Sequence, residues 1–260
     1  MRVFVSKDQY TLGEAAAEFV AKELKRIIAE KGEARIILST GASQFDTLKS
    51  LITKDVDWTK VEMFHLDEYV NLPETHIASF RKYLKERFIN LIPLKAAYLV
   101  DGTPENIEFL TKKIREKEVD IGLIGIGENA HIAFNDPPAN FYTTEAYHIV
   151  NLNDTCKKQQ VREGWFPTVD DVPKQACSMT VYQILRCKQI VSCVPYACKA
   201  DAIQKTLETA EVTNLIPATI MKQHPDFVVF ADRDSFANVA VSKIVPAVGA
   251  GTELEYVKFE

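Results

Sequence analysis

The most informative segment of the sequence is IGLIGIGENAHIAFNDPP, residues 121–138. It continues an apolar run that starts at position 119, and such a run is typical of a strand buried on both faces of a parallel sheet. No Gly-Lys-Ser or Gly-Lys-Thr follows its glycines, so the stretch is not a P-loop. Gly125, Gly127 and Ala130 match the dinucleotide spacing G-x-G-x-x-G/A only weakly. The polar residues after the turn, which include His131, therefore carry more information than the glycines do.

Strand and helix patterns alternate on both sides of this stretch. Short apolar runs predict strands at residues 2–6, 34–40, 61–67, 96–100, 119–127, 147–152, 188–195 and 227–232. Amphipathic runs predict helices at residues 11–32, 41–52, 77–90, 104–118 and 198–210. Gly32 is placed to end the first helix, Ser43 to cap the second and Pro104 to open the fourth.

Apolar strands separated by amphipathic helices predict a sheet that is covered on both faces. The expected fold is α/β: a doubly wound, mostly parallel, Rossmann-like sheet with helices on both faces. No Pro/Gly/Ser-rich linker or internal repeat interrupts residues 1–260, so a single domain is expected. Ligands of such sheets bind outside the carboxyl ends of the strands, which makes the residues that follow the strands the candidates for a site.

The composition excludes several functions. The chain has 260 residues and a formal net charge of -5 at pH 7, and it offers no broad basic face for nucleic acid. No stretch approaches the roughly 18 uninterrupted apolar residues of a membrane helix. The start, MRVFVSKDQY, lacks the apolar core of a signal peptide, so a cytoplasmic protein is expected. The five cysteines form no C-x-x-C pair and are expected to be reduced, packed thiols; no metal site is expected.

The end of the second predicted strand suits a phosphate. Thr40, Gly41, Ala42 and Ser43 lead from the strand into a helix, where backbone amides and hydroxyl groups face the positive end of the helix dipole. The same residues also fit a plain strand-to-helix turn in which Ser43 caps the helix. These four residues alone do not decide between the two interpretations.

Two other strand ends carry groups that move protons. Asp67 and Glu68 leave the third strand, where burial could tune a carboxylate as a general base; alternatively, one carboxylate caps the next turn and the other faces water. Asn129, His131 and Asp136 follow the opening strand, and a carboxylate near a histidine would fix its tautomer. A structural role is the alternative for a lone histidine. Three such strand ends at one edge favour sugar-phosphate chemistry.

Two motifs, LDEYVNLP (66–73) and GIGENAHIAFNDP (125–137), resemble the glucosamine-6-phosphate deaminase family, within the wider group that includes 6-phosphogluconolactonases. The later segments VPKQACSMT, CKADAIQKTLE and IMKQHPDFVVFAD also resemble it, so the likeness covers nearly the whole chain. Lactonases of the group typically carry an arginine after Asp-Glu and read Gly-His-Thr-Ala-Ser at the histidine. Here Tyr69 follows Glu68, and His131 is followed by Ile-Ala-Phe-Asn, so the deaminase branch fits better.

The resemblance implies roles for individual residues. Asp67 matches the base that moves a proton between C1 and C2 of the open-chain sugar, His131 matches the residue that opens the pyranose ring, and Asp136 matches the acid that supports it. Such enzymes release ammonia as an aldose 2-amine becomes a ketose, without metal or organic cofactor. The residues implied in phosphate binding are Thr40, Gly41, Ala42, Ser43, Lys199 and, as the nearest candidate for an arginine, Arg162.

Two residues depart from the family pattern. Asn129 stands where the family usually has a third acid, and Asp136 stands where it usually has a glutamate. The amide keeps a hydrogen-bonding oxygen but loses the charge, so the histidine relay is expected to differ from the usual one. The segment TTEAYHIV (143–150) lacks the basic residues with which allosteric hexameric members hold an effector phosphate, so allosteric control is not expected. The sequence leaves a homo-oligomer open.

The expected function is isomerising deamination of a hexosamine 6-phosphate, with glucosamine 6-phosphate favoured over galactosamine 6-phosphate as the substrate. No residue can be assigned to the hydroxyl that distinguishes these epimers. Lactone hydrolysis, as in a 6-phosphogluconolactonase, is the second enzyme class. A non-catalytic sugar-phosphate sensor is the third interpretation; such sensors usually carry a DNA-binding helix-turn-helix, whereas this chain begins with its first strand, and Asp67 and His131 also favour an enzyme.

Overall fold

The computed structural model describes residues 1–245 and the backbone of residues 255–258. Its strands are β1 (Arg2–Ser6), β2 (Ala34–Leu38), β3 (Val61–His65), β4 (Asp67–Tyr69), β5 (Ala96–Tyr98), β6 (Ile121–Leu123), β7 (Tyr147–Asn151), β8 (Gln175–Met179), β9 (Gln189–Val194), β10 (Phe227–Asp232) and β11 (Glu255–Lys258). Its α-helices are α1 (Gln9–Lys31), α2 (Phe45–Leu51), α3 (Phe80–Arg87), α4 (Pro104–Arg115), α5 (Asp154–Arg162), α6 (Val181–Ile184) and α7 (Ala200–Glu208). None of the described helices is long and apolar enough to cross a bilayer.

The central sheet has the strand order β11-β1-β10-β9-β6-β2-β3-β5, and every pairing among these described strands is parallel. From β2 the chain moves outward through β3 to β5, and from β6 it moves the other way through β9 to β10. The reversal lies between β2 and β6, where Ile36 pairs with Ile121 and Leu38 pairs with Leu123. The doubly wound, mostly parallel sheet is confirmed, and its crevice is expected at the carboxyl ends beside this reversal.

Helices cover both faces of the sheet because side chains alternate along each buried strand. In β2, Ile36 and Leu38 pack with α1, α2 and α3, whereas Ile37 packs on the opposite face with α4, α6 and α7. Leu24 of α1 and Ile203 of α7 mark these two apolar cores, and both side chains are fully buried. Burying a side chain of this size contributes about 1.5–3 kcal/mol, so the two cores hold the strand ends in fixed positions.

Two helix boundaries follow from the local sequence as expected. Gly32 ends α1 in the left-handed conformation, with φ 80°, and its amide donates to Ile28 O. Only glycine adopts this conformation without a steric penalty. Pro104 is the first residue of α4, where its missing amide hydrogen is not needed, and the Thr103 side chain accepts from the Asn106 amide. Both predictions are confirmed.

The predicted cap at Ser43 is wrong. Gly41, with φ 98°, opens a 3-10 turn over Ala42–Gln44, and α2 starts only at Phe45 without a side-chain cap. A backbone conformation that favours glycine therefore delays the helix by several residues. Ser43 lies inside this turn rather than at the N-cap.

A second, smaller sheet lies beside the main one, with the antiparallel order β4-β8-β7. The strand predicted at residues 147–152 is confirmed as β7, but it belongs to this sheet. One residue, Leu66, separates β3 from β4, and Asp67 pairs with Ser178 across the small sheet. The end of the third strand is thereby held between two sheets, which fixes the position of Asp67.

Candidate active site

A cavity of about 320 Å³ opens at the carboxyl edge of the sheet, where β9, β6, β2 and β3 lie side by side. The residues that follow these four strands and the inner side of α5 line it. The predicted residues that line it are Thr40, Gly41, Ala42, Ser43, Asp67, His131, Arg162 and Lys199. Asn129 and Asp136 are not part of the lining, and both contact His131. The fold thus brings the separate strand ends together, as expected for the reversal point of such a sheet.

The loop after β2 presents unused backbone amides. The Tyr83 hydroxyl donates to Gly41 O at 3.0 Å, and the Tyr196 hydroxyl donates to Ala42 O at 3.4 Å. With these carbonyls held, the amides of Gly41 and Ala42 donate to no acceptor within residues 1–245. Free amides beside a cavity suit an anion. Sequence reasoning missed both tyrosines because they lie 42 and 154 positions away from the carbonyls that they hold.

Lys199 supplies a buried positive charge to the same cavity. Its residue is 7% exposed, and its ammonium group forms no hydrogen bond or ion pair within the described part of the chain. Burial lowers the pKa of Lys199, because the charged form is poorly solvated there. Tyr196, with φ 82°, makes the bend before this lysine, and its amide donates to the Asp232 carboxylate at 3.1 Å. An unpaired buried cation and free amides together fit a phosphate group.

Asp67 is the acidic group of the cavity. The residue is 6% exposed, and its carboxyl oxygens form no hydrogen bond within residues 1–245. Burial, with a smaller contribution from the neighbouring Glu68 charge, raises the pKa of Asp67 to about 8. A carboxyl with this pKa can exchange a proton near neutral pH, which is the property of a general acid or base.

Glu68 has a different role. Its carboxylate accepts hydrogen bonds from the Ser79 hydroxyl at 2.9 Å and from the Arg81 amide at 2.8 Å, and it is fully buried. These donors lie at the start of α3, so Glu68 caps that helix. The alternative interpretation of the Asp-Glu pair therefore holds for Glu68 and is wrong for Asp67, which faces the cavity rather than bulk water.

The histidine turn forms a hydrogen-bonded network of three side chains. The amide Nδ2 of Asn129 donates to Asp136 Oδ1 at 2.9 Å, and Asn129 Oδ1 lies 2.6 Å from His131 Nδ1. Asp136 Oδ1 lies 3.1 Å from the same ring nitrogen. Because ionised Asp136 only accepts, it orients the amide, and two acceptors at Nδ1 require the proton to be on Nδ1. Nε2 of the neutral ring therefore keeps its lone pair for proton transfer.

The same network acts on Asp136. Burial alone would raise the pKa of Asp136, but the hydrogen bond and charge of His131, together with the Asn129 amide, hold this pKa below its usual value. Asp136 thus stays ionised at neutral pH. Asn129 thus keeps a hydrogen bond to the His131 ring through its oxygen, although it lacks the charge of the acid that the family usually has there.

Gly127 leaves room for the imidazole ring. A Cβ atom built at this position would overlap the ring of His131. The Gly127 amide also donates to His131 O at 2.9 Å, so the backbone closes tightly around the histidine. The loosely matched dinucleotide spacing at this glycine is explained by the close approach of His131.

Arg162 stands at the rim of the cavity. It is the last residue of α5, its side chain is 61% exposed, and it forms an ion pair with Glu128 of the histidine turn. Its contribution to phosphate binding stays a prediction.

Among the cysteines, Cys198 is exposed beside Lys199, against expectation, whereas the other four are buried free thiols. No group of three or more His, Cys, Asp or Glu side chains within residues 1–245 could hold a metal ion.

Similarity to known proteins places the chain in a family. The sequence model described as "Glucosamine-6-phosphate isomerases/6-phosphogluconolactonase" matches residues 7–229. The chain belongs to this family. A glucosamine-6-phosphate deaminase of Streptococcus sanguinis (strain SK36) is 31% identical over 241 residues, which cover 91% of this chain and 98% of the relative. One from Streptococcus equi subsp. zooepidemicus (strain MGCS10565) is 33% identical over 236 residues, or 89% and 97% of the two chains.

Solved structures of the glucosamine-6-phosphate isomerase/6-phosphogluconolactonase family share the fold. A monomeric glucosamine-6-phosphate deaminase superposes with a TM-score of 0.83 at 28% identity, over 92% of this chain and 100% of that chain. A 6-phosphogluconolactonase from Shewanella baltica OS155 superposes with a TM-score of 0.72 at 17% identity, over 89% and 98% of the two chains. At that identity the second likeness shows the fold alone. The resemblance inferred from the two sequence motifs is confirmed.

Proposed function

We propose that this chain is an isomerising deaminase that converts a 2-amino-2-deoxyhexose 6-phosphate, with glucosamine 6-phosphate favoured, to the ketose 6-phosphate and ammonia. The observation that carries the proposal is Asp67, a buried carboxyl without a partner, whose pKa is raised to about 8. It faces the same cavity as the unpaired Lys199 ammonium. A base and an anion site that follow different strands at one edge of the sheet suit a substrate with a phosphate at one end and an exchangeable proton at the other.

The side chains fit the steps of this reaction. The Gly41 and Ala42 amides and Lys199 bind the phosphate. His131 Nε2 takes the proton of the anomeric hydroxyl and returns it to the ring oxygen, which opens the ring. Asp67 then removes the proton from C2 and delivers it to C1. The resulting ketimine adds water and releases ammonia, so the protein supplies only binding and proton transfer.

The charge of the substrate supports the role of Asp67. In the empty cavity a carboxyl with a pKa of about 8 is largely protonated at pH 7. A substrate ammonium group next to it favours the ionised form, so binding the correct substrate generates the base. A sugar phosphate without the amine lacks this charge. This coupling favours amino sugars over the other sugar phosphates that the same cavity could hold.

The experiment that tests the proposal measures product formation from a panel of phosphorylated sugars. Purified protein is incubated with glucosamine 6-phosphate, galactosamine 6-phosphate and 6-phosphogluconolactone. Ammonia, lactone loss and the ketose 6-phosphate are followed; the ketose is fructose 6-phosphate from the first substrate and tagatose 6-phosphate from the second. Ammonia and ketose formed in equal amounts from an amino sugar phosphate support the proposal. Lactone hydrolysis alone, or binding without turnover, overturns it in favour of a lactonase or a sensor. Because the proposed substrate is a phosphorylated sugar, we also propose a cytoplasmic location; a homo-oligomer stays a prediction.

Lys199→Ala is expected to weaken binding of fructose 6-phosphate by roughly 10–150-fold. The reason is the loss of a charge-assisted contact to phosphate, worth about 1.5–3 kcal/mol. Isothermal titration calorimetry measures the effect. The matched control is Lys205→Ala, because Lys205 is an exposed lysine of α7 that does not line the cavity. Equal affinities of wild type and Lys199→Ala would contradict the assignment of the phosphate site.

Asp67→Asn is expected to stabilise the empty protein increasingly as the pH rises. The folded-state pKa of Asp67, about 8, lies above the ordinary value of 3.8, so folded wild type binds more protons than unfolded wild type between these values. The free energy of unfolding of wild type therefore falls as the pH rises from about 4 to about 8. Asparagine does not titrate, so the variant does not lose stability in this way. Above pH 8 the variant is expected to exceed wild type by several kcal/mol, because each pH unit between the two pKa values costs wild type about 1.4 kcal/mol. Urea unfolding at pH 5 and pH 8.5 measures the difference; a constant difference would mean that Asp67 is not desolvated.

A further inference from the structure

The inner side of α5 is polar where a packed helix is usually apolar. Cys156, Gln159 and Gln160, together with Glu163 just past the last residue of α5, occur at spacings of three and four residues, which places them on one side of the helix. In a helix that faces a protein core, this spacing is typical of apolar side chains. Here all four line the cavity that holds Asp67, and both glutamines are at least nine-tenths buried. The polar groups are therefore turned toward the ligand space.

Gln160 differs from its neighbour in having no partner. Its residue is 8% exposed, and its carboxamide forms no hydrogen bond within residues 1–245. The Gln159 amide donates to Glu163 Oε1 at 2.7 Å, and the Trp165 indole donates to the other oxygen of that carboxylate at 3.1 Å. Gln160 lines the cavity, so its unpaired carboxamide is free to hydrogen-bond a ligand there.

The chemistry of Gln160 indicates which part of a ligand it contacts. A carboxamide offers both a donor and an acceptor, which matches a hydroxyl group that does the same. A phosphate offers acceptors only, and Lys199 with the Gly41 and Ala42 amides already supplies donors for it. The position of Gln160, on the wall formed by α5 rather than on the phosphate loop, therefore suits the carbon chain of the sugar.

We propose that Gln160 is a specificity-determining residue that hydrogen-bonds a hydroxyl group of the sugar phosphate. The inference rests on the proposed function for the identity of the sugar, but its observation, the unpaired buried carboxamide, is independent of Asp67 and His131. A site built to bind a hydroxyl discriminates strongly against a ligand that does not present one, because its own polar group is then left unpaired. Gln160 is thus the candidate for distinguishing hexosamine phosphates that differ in one hydroxyl.

The test compares two ligands that share only the phosphate. Affinities for fructose 6-phosphate, without ammonia so that no reverse reaction occurs, and for inorganic phosphate are measured by calorimetry. Gln160→Met keeps the length of the side chain and removes its hydrogen bonds. We expect this variant to bind fructose 6-phosphate at least about tenfold more weakly than wild type does, and to bind inorganic phosphate with an affinity within about twofold of wild type. The matched control, Gln159→Met, is expected to change fructose 6-phosphate binding less than about threefold, because its amide is used by Glu163.

Every other outcome overturns the proposal. The assignment is wrong if Gln160→Met binds fructose 6-phosphate with unchanged affinity, or if it loses affinity equally for both ligands. It is also wrong if Gln159→Met shows the same selective loss, or if the wild-type protein binds phosphate but no sugar phosphate. If Gln160→Met does not fold, Gln160→Leu, which is also uncharged and cannot hydrogen-bond, is expected to show the same selective loss. Because the readout is binding, absence of ammonia release would overturn the proposed function and leave this result standing. With active enzyme, the ratio of kcat/KM between glucosamine and galactosamine 6-phosphate should change by at least about fivefold in Gln160→Met.

Discussion

Asp67→Asn is expected to lower kcat for ammonia release by about 10²–10⁴-fold, the usual contribution of a general base. Asparagine keeps the shape of the side chain but cannot take the proton from C2. The position is otherwise suited to the change, because the carboxyl group of Asp67 forms no hydrogen bond to the rest of the described chain. Fructose 6-phosphate binding is expected to be retained, since its main charged contact, Lys199, is untouched. Steady-state kinetics and calorimetry on the same preparation measure both quantities.

The combination of lost activity and gained stability is what sets Asp67 apart. If a residue only supports the fold, replacing it lowers the stability of the protein. The desolvated Asp67 carboxyl instead destabilises the ligand-free protein at neutral pH, so its replacement is expected to raise the stability. Loss of turnover together with loss of fructose 6-phosphate binding and a lower melting temperature would indicate a structural role instead. That result would count against Asp67 as the base.

Gly127→Ala is expected to reduce kcat by roughly 10²-fold without changing phosphate binding. A methyl group at this position overlaps the imidazole ring of His131, so the ring must move. Movement breaks the contacts of Nδ1 with Asn129 at 2.6 Å and with Asp136 at 3.1 Å, and the tautomer is no longer fixed. The expected decrease in kcat is therefore the decrease that follows when a general acid–base group is misplaced.

Gly125→Ala is the matched control for this substitution. A Cβ at Gly125 would lie 3.6 Å from Gln44 Nε2 and 3.6 Å from Ser39 Oγ, which are ordinary contacts. We expect less than about a tenfold change in kcat for this variant. Equal activities of the two alanine variants would mean that the position of His131 does not limit the reaction.

The main parts of the fold and site could be predicted from local patterns. Gly32 and Pro104 mark helix ends through their own backbone chemistry, and their effects do not depend on distant residues. Asp67 and His131 follow buried strands, and parallel strands bring their carboxyl ends to one edge of the sheet. The approximate location of the site therefore needs no knowledge of packing.

The remaining features depend on contacts between distant segments. The hydroxyl groups of Tyr83 and Tyr196 hold the loop after β2 from other parts of the chain, and neither tyrosine has a sequence signal for this contact. Asn129 could be recognised as a missing acid, but the orientation of its amide is set by Asp136 and is visible only in the structure. Gln160 is one of two adjacent glutamines, and only the hydrogen bond made by the other shows which is free.

Proton transfer by Asp67 can be followed with glucosamine 6-phosphate that is labelled with deuterium at C2. Wild type is predicted to remove the label from C2 at the rate at which ammonia appears, because the proton transfer by Asp67 precedes release of the amine. Asp67→Asn is predicted to do neither while still binding fructose 6-phosphate. Ammonia release by Asp67→Asn at the wild-type rate, or absence of turnover by wild type on any amino sugar phosphate, would contradict the account.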